Sequence, residues 1–263
     1  MTIFIADHLG ALKEQSAGFR PIHIGAKLAT PDARGPEPDL VAPNSISAET
    51  AYADLRMLHH VRHVYDGLCE HAAIMQYRRM FLIGDAAQSD PSLRLLHDET
   101  EASDLEFAVA PMTLRAPYIA HLLTLPATAP ALVLGEHDFV ANKVGFVGRS
   151  VQAQYVGSIK LDYPNQPEYV DAWFDLRRVL EAKFGESLTS EYMDGGFGYM
   201  NNCFISSWPR FTDYCDFLFE VFDQLSGYRS VHRIYGYLAE RIFAVYLAHH
   251  GMAVRSQRLM YFD

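Results

Sequence analysis

Two adjacent arginines, Arg78 and Arg79, follow the apolar run Ala72-Ala73-Ile74-Met75, with Gln76 and Tyr77 between and Met80-Phe81 after. A guanidinium keeps its charge at any ordinary pH and holds a phosphate through paired N–H bonds. The apolar run reads as a short buried strand, and ligands of open α/β sheets bind at the carboxyl ends of strands. The segment therefore offers fixed positive charge where an anion would sit. In a chain of net charge −10 the bland alternative is an arginine pair neutralised by surface acids.

A second group of polar residues lies near the C-terminus. Arg233, Gly236, Tyr237, Glu240 and Arg241 recur at helical spacing on one face. Glycine inside a helix costs up to about 1 kcal/mol relative to alanine, so close approach of another group is expected there. Arg and Glu on that face either pair with each other or hold a sugar and act on its hydroxyl. Asn201 and Asn202 interrupt an otherwise apolar strand. Burying an amide is unfavourable unless it is hydrogen-bonded, so one of them should face a polar cleft, or both bond to backbone. Glu136-His137-Asp138 has the acid-x-acid spacing that can hold a divalent ion, a pattern common by chance. His59, His60 and His63 have helical spacing without an acid ligand nearby and read as a solvated face. The described motifs for nucleotide loops and nucleophile elbows are absent.

The elements that would position these groups alternate. Thr2–Ala6 is a buried strand ending at Asp7 and His8, and residues 21–26 form a second one ending on Gly25, where backbone can approach a ligand. Residues 29–43 are a loop. Asn44 and Ser47 supply helix-starting chemistry for a helix to about Tyr65, with Ser47 as N-cap. After the Arg segment and a polar stretch at 84–104 come a strand at 105–110, a helix at 116–125, and a helix capped by Ser150. Pro167 opens an amphipathic helix with Val170, Trp173, Phe174, Leu176 and Leu180 on its apolar face. A strand at 199–206, a helix from Pro209, a last helix over about 231–250 and an extended tail complete the chain. This pattern predicts an α/β layered domain with a helix-rich C-terminal part.

Sixteen Phe and fifteen Tyr suit a core with deep clefts. The acidic balance excludes non-specific nucleic-acid binding, which needs a basic face. No run of eighteen apolar residues exists and no basic-then-apolar leader is seen, so a transmembrane segment is not expected, although peripheral membrane contact stays open. Cys69, Cys203 and Cys215 lack metal spacing and read as reduced, buried thiols of a cytoplasmic protein.

The order of the motifs resembles the DUF4422 family, bacterial glycosyltransferases of capsule and exopolysaccharide loci. The resemblance rests on His8 after the first strand, Asn44 with Ile46-Ser47, Tyr77-Arg78-Arg79 with Phe81, and Asp138-Phe139-Val140. It continues with Asn202-Cys203-Phe204-Ile205, Tyr214-Cys215, and Arg233, Gly236, Glu240 and Arg241. Gln76 stands where the family has histidine, Met80 replaces an aromatic residue, and the loop at 29–43 lacks an acidic run found in relatives.

The resemblance implies a GT-A-like, Rossmann-type mixed sheet with helices on both faces. It implies a single domain over 1–263, with a nucleotide-sugar half over 1–140 and an acceptor half over 141–263. The implied reaction moves a sugar from a nucleotide-sugar donor, a UDP-hexose with UDP-galactofuranose among the candidates, to a glycan or small-molecule acceptor. Donor contacts are expected from His8, Gly25, Asn44, Ser47, Gln76, Tyr77, Arg78, Arg79, Asn201, Asn202, Arg233 and Gly236. Glu240, then Asp138, is the candidate base for the acceptor hydroxyl. The arginine pair makes a metal-independent site the preferred expectation, with manganese or magnesium as the other case. Gln76 favours a rival reading, a non-catalytic nucleotide-sugar-binding protein, and a third is a hydrolase of activated sugars, the same cleft with water as acceptor.

Overall fold

The computed structural model describes every residue except 1, 9–11, 13–14, 17, 30–33, 36, 41, 43, 87–89, 95, 97–106, 127 and 147. Among the described residues nine strands form one mixed sheet. Strand β1 (Thr2–Asp7) runs parallel to β2 (Phe19–His23) on one side and to β3 (His71–Gln76) on the other. The other edge of β3 is shared. Its first half pairs antiparallel with β7 (Phe197–Ser207), and its last residue, Gln76, pairs with Arg79 of β4 (Arg79–Phe81). From β7 the sheet continues through β6 (Phe139–Gly145) to β8 (Val254–Ser256). From β4 it continues through β9 (Leu259–Phe262) to β5 (Phe107–Ala110).

The central strands β1 and β3 are largely apolar because both of their faces are covered. Ile3 and Ile5 of β1, Ala73 and Met75 of β3, and Cys203 and Ile205 of β7 enter one core; Phe4, Ala6, Ala72, Ile74 and Phe204 alternate into the other. The first core is closed by helix α2 (Arg115–Thr124) through Tyr118 and Leu122, and α3 (Ala129–Leu134) contributes Leu134. The larger core packs α1 (Leu55–Val64), α4 (Val151–Asp162), α5 (Glu168–Phe184), α6 (Glu186–Met193), α7 (Trp208–Gln224) and α8 (Ile234–His249). The predicted α/β layering with a helix-rich C-terminal part is present. Strand β6 and the cleft-lining residues His232, Arg233 and Tyr261 carry the sheet and the site across the expected division at residue 140.

Several local expectations differ. The helix expected from Ser47 begins at Leu55, after a single 3-10 turn over Thr50–Tyr52. Ser47 is instead fully buried, accepts from Lys27 N at 3.0 Å and donates to Asp39, so a tertiary loop contact takes the hydroxyl that local chemistry offers as a cap. Ser150 does cap α4, accepting from Ala153 N at 3.1 Å. Phe174 leaves the apolar face of α5 and is exposed. His60 is buried, with Nε2 3.2 Å from Glu37 Oε1, so the histidine cluster is not a uniformly solvated face.

At Asn201 and Asn202 both residues adopt left-handed backbone (φ 75° and 50°). Asparagine tolerates this conformation better than most residues. The register of β7 on β6 slips at the same place, between Ala141 and Lys143. This kink ends the pairing of β7 with β3 at Phe204, and the β3–β4 turn occupies the edge that β7 leaves.

Candidate functional site

The carboxyl ends of β1 and β3 open into a cleft of about 450 Å3. Its walls include His8, Asp54, Arg56, Gln76, Tyr77, Arg78, Arg79, His232, Arg233 and Tyr261. A small extension of about 30 Å3 continues past Asp54, Gln76, Arg79 and Arg233 to Asn202, Gly236, Tyr237 and Glu240. The arginines of the strand end and the glutamate of the last helix, distant in sequence, thus border one connected space.

Four arginines line the main cleft, and Asp54 is the one carboxylate among its described lining residues. Neither Arg78 nor Arg233 has a carboxylate partner among the described residues, and Arg78 Nε is buried without a hydrogen bond. A buried donor left unsatisfied is unfavourable by about 1–3 kcal/mol, so an anion that accepts from it would relieve that deficit. Arg78 and Arg115 each lie 5.7 Å from the Tyr77 ring centroid, at cation–π distance.

Gln76 joins the charges. Its amide nitrogen donates to Asp54 Oδ2 and, at 2.7 Å, to Asn201 O, while its oxygen accepts from Arg79 Nη1 at 2.7 Å. One neutral amide therefore donates to an anion and accepts from a cation, which orients Arg79 across the cleft. Histidine has no pair of atoms that could make all three contacts from this position. His8 Nε2 lies 2.6 Å from the other Asp54 oxygen. Burial alone pushes the Asp54 carboxyl up, but the His8 hydrogen bond and the charges of His8, Arg233 and Arg79 outweigh it and hold it below the ordinary carboxylate range.

Gly25 contributes through what its missing side chain admits. It has left-handed backbone, and a Cβ there would lie 2.7 Å from Arg56 Nη1. Asp39 accepts from Gly25 N at 2.7 Å and Ala26 N at 3.1 Å, fixing the turn. Arg56 donates to Ala53 O at 2.9 Å and Ser47 O at 3.1 Å, and burial lowers its pKa despite Asp39 and Asp54. So Gly25 and Ser47 reach the cleft only by positioning Arg56.

The remaining predicted residues divide. His8, Gln76, Tyr77, Arg78, Arg79, Asn202, Arg233, Gly236 and Glu240 line the cleft or its extension, and Asn201 borders it through its backbone. Asn44 does not: it lines a separate cavity beside α1 and α7. Asp138 does not either. It precedes β6, whose Phe139 pairs with Ser206 opposite Ala72, the beginning of β3, so it sits at the far end of the sheet from Gln76. There it accepts from Arg210 Nε at 3.0 Å and Ala253 N at 2.9 Å, away from the cleft and its extension. The Glu136-His137-Asp138 pair lies at that far end as well. Among the described residues no group of three or more His, Cys, Asp or Glu is arranged to hold a metal ion.

Glu240 accepts from Asn201 N at 3.0 Å through Oε1 and from Arg241 Nη1 at 2.6 Å through Oε2. Asn202 donates to Gly236 O at 3.2 Å, so α8 is tied to the kink of β7 from two points. A Cβ on Gly236 would stand 3.0 Å from Ala53 Cβ, which accounts for glycine in mid-helix.

Sequence reasoning missed Asp54, Arg56, Asp39 and Tyr261. Asp54 and Arg56 flank Leu55 at a helix start, where acid and base look like ordinary surface residues. The one available signal was Gly25, which called for a close neighbour.

The family model named "Domain of unknown function (DUF4422)" matches residues 2–251. No curated protein matches the chain. Among solved structures, the apo structure of WbbM, described as a bifunctional glycosyltransferase, superimposes with TM-score 0.73 at 16% identity. The match covers 100% of this chain and 45% of that one, so this chain spans less than half its length. Cys203 and Cys215 are buried and Cys69 is only partly buried, all three free, and among the described residues no helix is long and apolar enough to cross a membrane. The fold is GT-A-like, and the chain belongs to the DUF4422 family.

Proposed function

We propose that this protein is a glycosyltransferase that moves a hexosyl group from a UDP-sugar, UDP-galactofuranose among the candidates, to a glycan or small-molecule acceptor. The observation that carries this reading is the cleft at the strand ends: four arginines and one carboxylate in a chain of net charge −10. Likeness to a solved glycosyltransferase and family membership support the same class.

In the proposed reaction the acceptor oxygen bonds to the anomeric carbon as the bond from that carbon to the diphosphate breaks. The electron pair leaves with the diphosphate, whose growing charge Arg78 and Arg79 neutralise, with Arg233 beside them. The acceptor proton passes to Glu240, which inversion at the anomeric carbon requires. His8 and Tyr77 flank the nucleotide side. We place the enzyme in cytoplasmic polysaccharide assembly and assign the diphosphate charge to arginine rather than to a metal.

One observation favours a second reading, a nucleotide-sugar-binding protein without turnover. Both oxygens of Glu240 already accept hydrogen bonds, and Gln76 is fully engaged. A nucleotide panel separates the readings. UDP or a UDP-sugar at a hundred times its dissociation constant should stabilise the fold by about 2.7 kcal/mol, seen as a melting shift that persists in EDTA. UDP release from the donor with sugar on an acceptor means transfer, release to water means hydrolysis, and a shift without release means binding alone. No shift with any nucleoside diphosphate would overturn the donor assignment. A shift lost in EDTA and restored by manganese would overturn metal independence.

A further inference from the structure

We infer that a cluster of three tyrosines beside the extension, Tyr163, Tyr169 and Tyr237, is a saccharide-binding shelf that seats the acceptor; the acceptor role rests on the transfer reading above. Tyr163 ends α4, Tyr169 lies in the first turn of α5 and Tyr237 in the first turn of α8. The rings of Tyr163 and Tyr169 stack at 4.6 Å with 13° between planes. Tyr237 stands edge-on to both, at 6.2 and 6.3 Å. Tyr169 is buried and anchors the group by donating its hydroxyl to His232 O, while Tyr163 and Tyr237 are only half-buried.

Tyr169 belongs to the larger core and Tyr163 and Tyr237 pack against it, while on their outward side the neighbours are exposed and polar. Asp162 accepts from the Tyr237 hydroxyl at 3.0 Å, and the Arg233 guanidinium lies 5.7 Å from the Tyr237 ring centroid. Asp162, His232 and Arg233 are all exposed. A pyranose presents the complementary chemistry: an apolar face of C–H groups for an aromatic ring, and equatorial hydroxyls for a carboxylate and a guanidinium at its edge. Small-ligand sites combine aromatic lining with a few placed polar groups in this way.

Position specifies which sugar. Tyr237 and Arg233 line the same extension as Glu240, and Tyr237 precedes Glu240 by three residues, on one face of α8. A saccharide on the shelf therefore has its nearest hydroxyl directed along that face to Glu240, while the arginines hold the diphosphate on the other side of Asp54 and Gln76. The shelf binds an uncharged saccharide, and the cleft binds the anion.

The test is saturation-transfer NMR of the methyl pyranosides of galactose, glucose and mannose on the full chain loaded with UDP. Wild type should give saturation transfer to ring C–H protons with at least one of them. Tyr163→Ala should abolish it or weaken binding about twofold to tenfold, roughly the stacking contribution of one aromatic pair. Tyr163→Leu keeps apolar volume against Tyr169 and guards against misfolding, checked by melting; it should lose binding too. Transfer that persists in a folded Tyr163→Leu protein, or no transfer in wild type with all three probes, would overturn the shelf. Saccharide binding in a wild-type protein that binds no nucleotide would support the shelf and remove the transfer reading beneath it.

Discussion

Two cavities of similar size lie on either side of the segment from Glu49 to Asp54. The cleft at the strand ends, about 450 Å3, shares Thr50, Ala53 and Asp54 with that segment; the other, about 570 Å3, shares Glu49 and Tyr52 and is walled by α1 and α7. Their charges are opposite. The second cavity carries Glu49, Asp216, Glu220 and Asp223, and its arginines are neutralised in place: Arg62 makes two 3.0 Å bonds to Asp216, and Arg229 lies 2.7 Å from Asp223. In the cleft Arg78 and Arg233 have no carboxylate partner among the described residues. Volume does not distinguish the two spaces. Unpaired positive charge among the described residues does.

The comparison is broken most severely at Glu240. Glu240→Gln should lower turnover by roughly 10²–10⁴, the range for a positioned base, with UDP affinity nearly intact. If Glu240 serves only to tie α8 to Asn201 and Arg241, the variant will instead melt earlier and turn over normally. Kinetics and calorimetry on one preparation separate these results.

A smaller effect separates the cavities themselves. Arg79→Ala removes a charge-assisted contact and should weaken UDP binding by about 1.5–3 kcal/mol. Arg229→Ala, in the acidic cavity, should leave UDP affinity unchanged by titration calorimetry. Equal losses in the two variants would mean that net charge, rather than the cleft, attracts the nucleotide.

The smallest expected effect is on stability against pH. Burial, with His63 and His60 nearby, pushes His59 in the acidic cavity down to about 4 from the ordinary 6.5. The unfolded chain takes up this proton near pH 6.5 and the native one only near 4, so His59 makes native stability fall as pH drops through that window. His59→Gln should flatten this part of the melting-temperature profile. An unchanged slope would assign the acid sensitivity to other groups.

What could be read from sequence follows the range of the interaction. The strand running into Arg78-Arg79 was legible because a buried strand and its polar end are adjacent in the chain. The face of α8 was legible because helical period alone brings Arg233, Gly236 and Glu240 together. Ser47 misled because Ser with Glu49 two residues on imitates a helix start, and the hydroxyl was claimed by Asp39, a partner from another loop. Asp138 misled because acid-x-acid spacing carries no information about which end of a strand it precedes. Arg56 and Asp54 were invisible because their roles are defined by Gly25, Gln76 and His8, contacts that exist only once three strands are side by side.

The kink at Asn201 and Asn202 has a consequence for how relatives can diverge. The bonds that tie α8 and Gln76 to it end on main-chain atoms at one side: Asn201 N, Asn201 O and Gly236 O. A joint of this kind reads backbone position and is indifferent to most neighbouring side chains. The helices that carry Tyr163 and Tyr169 can then change their surfaces, and with them the partner molecule, while the arginine end stays in register. Such a joint mechanically uncouples the arginine grip at the strand ends from the helical platform beside it, so the two can change shape independently.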